Sequence, residues 1–194
     1  MADPQDVGRI PAGETIPILD FGSQYTQLIA RRVRELGAFS LLVAPDTSLE
    51  VLKTLNPRGI ILSGGPSSVH ESGAPKCDPR LFELDVPILG ICYGMQLGCQ
   101  LLGCEVEQAP SREYGRAQLN IEHTDGLLNG IPEATSVWMS HGDQVTGLEG
   151  TFQTLASTST CPHAAVWHVD RKFFGVQFHP EVTHTPHGID ILRN

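Results

Sequence analysis

From residue 16 onward the apolar positions of this chain alternate between short continuous runs and stripes spaced three and four apart. The run "IPILDF" predicts a strand. "SQYTQLIARRVRELG" predicts a helix, with Leu28, Ile29, Val33 and Leu36 on one stripe and Gly37 placed as its C-terminal stop. "FSLLVA" reads as a second strand, "SLEVLKTL" as a short helix opened by Ser48, and "GIILSGG" as a third strand running into a glycine turn. "VPILGI" and "GMQLGCQLLG" repeat the pairing, with Gly103 closing the helix. Near-continuous apolar strands interleaved with helices need cover on both faces, which is the mark of a parallel sheet.

The second half changes character. "CEVEQA", "GRAQLNIEH", "SVWMSH", "TFQTLAST", "AAVWHVD" and "FFGVQFH" are β-like, separated by Gly, Pro, Asn and Asp turns. They predict further strands, several antiparallel, extending or flanking the same sheet. There is no repeat and no convincing linker, so one α/β domain over 16–194 follows, after a loose tail over 1–15. The closing stretch "GIDILRN" reads as the opening of a helix, from which the expectation is a chain truncated from a longer protein.

Composition narrows the partners. With 40% apolar and 18% charged residues among 194, the chain is of ordinary globular type. No apolar run approaches the length of a membrane span, and the polar N-terminus lacks a secretory h-region. A formal charge of −9 argues against nucleic acid and anionic membrane, which need clustered Lys and Arg. The one basic cluster, "ARRVRELG", reads as a solvated helix face. Five cysteines, odd in number and without CxxC spacing, predict free thiols in a reducing cytoplasm.

The chemistry concentrates in "GICYGMQ", where Cys92 stands between Gly90 and Gly94 directly after an apolar run. This is the spacing of a nucleophile elbow: the nucleophile sits in a strained strand-to-helix turn, and small residues two positions either side relieve the crowding. The helix N-terminus favours a thiolate there, so Cys92 is expected to be exposed and acidic. Cys99 and Cys104 read instead as small core residues. A base and its orienter are supplied by "VQFHPEVTHTPH", in which His179 and Glu181, two apart in an extended segment, project to one side. Donors for an oxyanion are expected from the Gly65 amide in "ILSGGPSSV" and the Tyr93 amide. The rival readings are weaker. No GK[ST] follows "SGG" to make a phosphate loop, and His184 and His187 lack the spacing of a zinc site, so they read as a polar turn.

These residues resemble the triad-type (class I) glutamine amidotransferases. "GICYGMQ" and "GVQFHPE" are the general marks, while "ILDFGSQYTQLIARRVRELG", "SREYGRA", "SHGDQV" and "FHPEVTHT" resemble the GMP synthetase subfamily. The resemblance implies a flavodoxin-like fold, with a mostly parallel central sheet, helices on both faces and additional antiparallel strands. It also implies glutamine hydrolysis through a thioester on Cys92, with His179 moving protons, Glu181 orienting it, Gly65 and Tyr93 holding the oxyanion, and Gly64 and Gln96 meeting the substrate. His141 and Asp143 of "SHGD" resemble a loop coupled to a synthetase half, although a plain surface turn explains them as well. Ammonia would pass to an ATP pyrophosphatase domain, fused or separate, for amination of XMP to GMP. No cofactor is expected for this domain, ATP and Mg belonging to the synthetase half. Two other readings stay open: an amidotransferase for another acceptor, such as anthranilate or carbamoyl phosphate synthesis, and a non-catalytic binding module.

Overall fold

A computed structural model describes residues 15–124 and 126–194. The elements run β1 (Thr15–Leu19), α1 (Thr26–Glu35), β2 (Phe39–Val43), α2 (Leu49–Thr54), β3 (Ile60–Leu62), β4 (Ile88–Ile91), α3 (Tyr93–Leu101), β5 (Glu105–Ile121), β6 (Ala134–Gly147), β7 (Phe152–Ser157), β8 (Ala165–His168), β9 (Phe173–Val176) and α4 (Gly188–Arg193). The expected tail over 1–15 lies outside the described residues except for Thr15, which is already the first residue of β1.

The nine strands among the described residues form one sheet in the order β2-β1-β3-β4-β9-β8-β7-β5-β6. The first five of that order pair in parallel, and the rest pair antiparallel from β9 outward. Successive strand residues face opposite layers, as the pleat requires. Ile18, Ile61, Ile91 and Val176 pack with Ile29, Ala30 and Val33 of α1 and Ile191 of α4. On the other face Leu19, Ile60, Leu62 and Phe173 pack with Leu52 of α2 and Met95 and Leu97 of α3. Helices therefore cover both faces, as the uninterrupted apolar strands demand.

The local stops act as their residues dictate. Ser48 caps α2 by accepting the Val51 amide at 3.4 Å. Gly37, at φ +90°, ends α1 while its own amide donates to Arg34 O at 3.0 Å and that of Ala38 donates to Val33 O at 3.2 Å. A short 3-10 turn at Pro79–Glu83, opened by Asp78 and burying Leu81 and Phe82, was not foreseen. No helix among the described residues is long and apolar enough to cross a membrane.

The second half departs from its sequence pattern. "CEVEQA" and "GRAQLNIEH" are not separate strands but parts of one, β5, and "SHGD" is neither loop nor surface turn but part of β6. The reason is an irregularity in their pairing. Gln108 faces Asp143 and Glu113 faces His141, so residues 109–112 of β5 stand against Gly142 alone. The bulge absorbs Pro110, which an unbroken ladder would not accept.

Candidate active site

Four parallel strands deliver their carboxyl ends to one place: β1 leads into Gly22–Tyr25, β3 into Gly64 and Gly65, β4 into Cys92, and β9 toward His179. β1 and β3 lie side by side while β2 lies beyond β1, so the chain reverses its direction of winding between them. Ligands of open α/β sheets gather at such a point. Here a cavity of about 520 Å³ opens, lined by these segments and by β5 and β6.

Cys92 occupies the turn from β4 into α3 at φ +51°, ψ −108°, a conformation seldom adopted by a residue with a side chain. Its amide donates to Val176 O at 2.8 Å, and the Gly94 amide donates to Ser63 O at 3.0 Å. The flanking glycines are required by contact: a Cβ at Gly90 would stand 2.7 Å from the backbone of Gly94, and one at Gly94 would collide with the carbonyl of Leu62. The expectation of an exposed thiol is not met. Cys92 is only 6% exposed, at the floor of the cavity, with its sulfur 3.6 Å from Ser140 O, because β6 closes over the elbow.

His179 and Glu181 are also buried, and they lie beyond the end of β9 in a turn around Pro180 rather than in the extended segment expected. The pairing nevertheless forms: His179 Nδ1 lies 2.7 Å from Glu181 Oε1, which leaves Nε2 as the nitrogen for the sulfur. Burial by itself pulls the imidazole pKa down. Hydrogen bonds to Cys92 and Glu181, with the negative charge of both, outweigh that and hold it above the usual histidine value. The turn is fixed from α1, where Arg32 Nε donates to Glu181 O at 3.1 Å, so the basic cluster is not wholly a solvated face. It is fixed again at Gly188, where a Cβ would collide with the Pro180 carbonyl.

The other expected residues divide. Gly65 lines the cavity with its backbone against Phe21, where a Cβ would stand 2.7 Å from Phe21 O. Tyr93 offers no side chain, since its ring packs on Phe21 and its hydroxyl donates to Pro75 O at 2.6 Å. Its amide, at the first position of α3, remains for the site. Gly64 is not among the residues lining the cavity and sits against the His179 ring. Gln96 does line it, with its Nε2 donating to Asp143 O at 2.7 Å and Gln177 Oε1 at 3.1 Å. His141 and Asp143 reach the same wall from β6, and His141 Nε2 lies 3.1 Å from Glu113 Oε2.

Sequence reasoning passed over Ser23, Tyr25, Arg112 and Tyr114, which complete the wall. "GSQY" directly follows a parallel strand, a position that marks ligand contacts and could have been used. Arg112 and Tyr114 lie in "SREYGRA", which the sequence marks only as a subfamily stretch; their place at the cavity depends on the strand pairing, Arg112 standing in the β5 bulge and Tyr114 opposite Ser140 just past it. The remaining cysteines are buried and free, and burial pushes Cys77 up to about 11 and Cys161 up to about 12. Among the described residues no cluster could hold a metal ion.

The geometry can be set beside known proteins. A model of the family "Glutamine amidotransferase class-I" matches residues 17–194. The glutamine-hydrolysing GMP synthase of Caldanaerobacter subterraneus subsp. tengcongensis is 54% identical over 181 residues, covering 93% of this chain and 35% of that protein. That of Syntrophomonas wolfei subsp. wolfei is 51% identical, covering 93% and 36%. The chain thus spans about a third of the length of these curated relatives. Among solved structures, a Thermoplasma acidophilum protein assigned provisionally as one subunit of GMP synthase superposes with a TM-score of 0.84 at 31% identity, covering 94% of this chain and 92% of that one.

Proposed function

This chain belongs to the class-I glutamine amidotransferase family, and we propose that it hydrolyses glutamine on Cys92 as the ammonia-generating part of a GMP synthase. The observation that carries the reading is a buried cysteine at a strained elbow, sharing one cavity with a histidine whose Nδ1 is held by a buried carboxylate.

In this mechanism His179 takes the Cys92 proton as the sulfur attacks the side-chain amide carbon of glutamine, so that the S–H bond breaks, an S–C bond forms and the carbonyl π pair moves onto oxygen. The carbonyl oxygen, now negative, is met by the Gly65 and Tyr93 amides, preorganised by backbone packing. His179 donates its proton to the departing nitrogen, the C–N bond breaks and ammonia leaves. His179 then takes a proton from water, which attacks the thioester carbon; the S–C bond breaks, glutamate leaves, and the proton held on His179 returns to the sulfur to restore the thiol. Glu181 holds the imidazole in the tautomer that both steps need. Gln96 has both amide hydrogens committed to Asp143 and Gln177, so it can offer the substrate only its carbonyl oxygen, an acceptor suited to the amino group.

The reading of the acceptor is supported by the relatives, GMP synthases about three times as long as the stretch matched here. On this reading an ATP pyrophosphatase domain, in cis or as a separate chain, receives the ammonia for an adenylylated XMP, and ATP with Mg binds there. The site is cytoplasmic, in keeping with five unpaired thiols.

Two assays test this. Ammonia release from glutamine should be abolished by a glutamine-like alkylator that labels Cys92 alone, as mapped by mass spectrometry; hydrolysis that survives complete labelling of Cys92 refutes the nucleophile. Mixing the chain with the synthetase portion of a relative, ATP, Mg, XMP and glutamine should yield GMP. Hydrolysis without GMP, against a positive control with free ammonia, directs the search to another acceptor.

A further inference from the structure

Two thiols at the far end of the helix that opens at Cys92 are left unused by this chemistry. Cys99 lies in the last turn of α3, and Cys104 is the second residue past its C-cap, Leu102. Gly103 between them takes φ +95°. Its amide donates to Gln100 O at 3.1 Å, and the Cys104 amide donates to Cys99 O at 2.9 Å. These two bonds define the Schellman turn, which folds the chain back so that the side chains of these two positions meet, ordinarily as an apolar pair. Here both are cysteines, packed in one core cluster. A direct backbone hydrogen bond between the two residues holds their Cα atoms near the roughly 4–7 Å that a disulfide spans.

The two thiols differ in access. Cys99 is fully enclosed, whereas Cys104 keeps 6% exposure between the exposed residues Gly103 and Glu105. A side chain at Gly103 would meet nothing within 4 Å, so solvent reaches this turn. Burial first, and the neighbouring Cys104 second, push the Cys99 thiol well above its ordinary value. The hydrogen bond from Cys99 pulls Cys104 below its own against the effect of burial.

We propose that Cys99 and Cys104 form an oxidative modification site that closes to a disulfide with a hydroperoxide as co-reactant. The Cys104 thiolate attacks the peroxide, forming an S–O bond and breaking the O–O bond. This gives a sulfenic acid and, with hydrogen peroxide, one water after protonation. Cys99 then attacks that sulfur, the S–O bond breaks, and hydroxide takes up the Cys99 proton to leave as a second water. Both sulfurs are oxidised and the peroxide is reduced. Cys92, with its own cavity and partners, is not part of the pair.

The test is made on the intact chain. It is treated with hydrogen peroxide, alkylated under denaturing conditions, digested with trypsin and mapped by mass spectrometry. The expected result is a peptide Leu81–Arg112 that has lost two alkylation sites, carries a Cys99–Cys104 link, and regains both sites after dithiothreitol. Cys92→Ser should leave the link unchanged, and Cys99→Ser should leave Cys104 as a sulfenic acid that dimedone traps. Alkylation of both cysteines after peroxide, oxidation of Cys104 to the sulfinic acid while Cys99 stays reduced, or a link that forms only through Cys92 overturns the proposal. The wild-type map alone decides between these outcomes, so the proposal does not depend on a variant that folds.

Discussion

His179 is held through three of its groups. Its amide donates to Trp138 O at 3.0 Å, its carbonyl accepts from Thr185 Oγ1 at 2.7 Å, and its Nδ1 meets Glu181 Oε1. Thr185 Oγ1 also accepts the Trp138 amide at 3.1 Å, so both backbone groups of the histidine are tied to the same residue of β6. Replacing Cys92 with Ala should lower glutamine hydrolysis by roughly 10⁴-fold or more. Cys161→Ala, a change in a thiol that does not line the cavity, should leave hydrolysis intact. Glu181→Gln keeps a hydrogen-bonding group but removes the charge, and should lower kcat by about 10²-fold. It should also leave a signature in stability. The folded imidazole pKa is raised above the ordinary 6.5, so its stabilisation is fully present below that pH and is lost as pH rises through the folded value. The gap in denaturant midpoint between wild type and Glu181→Gln should therefore be widest on the acid side of 6.5 and close toward alkaline pH. A gap that widens with rising pH contradicts the pairing.

Glycines at two helices act for different reasons, and substitution separates them. Gly94 in α3 lies against the Leu62 carbonyl, so Gly94→Ala forces the helix away from β3. It should cost about 1–3 kcal/mol and abolish hydrolysis, because the elbow moves with the helix. Gly37, past the end of α1, has open space around it but φ +90°. Gly37→Ala should cost about 1 kcal/mol in urea unfolding and leave the ammonia assay unchanged. Both effects are local, and local signals are what the sequence displayed well. Gly37, Ser48 and Gly103 punctuate the first half where expected, and Gly90-Ile91-Cys92-Tyr93-Gly94 announces its own crowding. The second half was harder to read because its strand limits depend on cross-strand pairing. Whether Pro110 ends a strand or rides in a bulge is decided by Gly142 opposite, more than thirty positions away. The exposure of Cys92 was misjudged for the same reason, since Ser140, which covers it, belongs to that distant strand.

Across the whole molecule, the parallel half of the sheet supplies the reacting groups and the antiparallel half holds them. β6 is the outermost strand, yet its backbone carbonyls reach inward to three parts of the site: Trp138 O to the His179 amide, Ser140 O to the Cys92 sulfur and Asp143 O to Gln96 Nε2. Asp143 O also accepts from His141 Nδ1 at 3.0 Å, and the other nitrogen of that buried ring meets Glu113 on β5. A chain of contacts therefore runs from the β5–β6 pair to the cavity-lining side chain of Gln96, through His141 and Asp143, the two residues that the resemblance ties to a synthetase half. Glu113 does not line the cavity, so its removal tests the chain without touching substrate. Glu113→Ala leaves His141 Nε2 buried without its partner, which should lower stability by about 1–3 kcal/mol. By loosening Asp143 and with it Gln96, it should also raise KM for glutamine by roughly 3–10-fold while kcat falls less, the pattern of lost ground-state binding. If stability falls and KM stays where it was, Glu113 and His141 are a fold contact alone, and this path carries no coupling to the cavity.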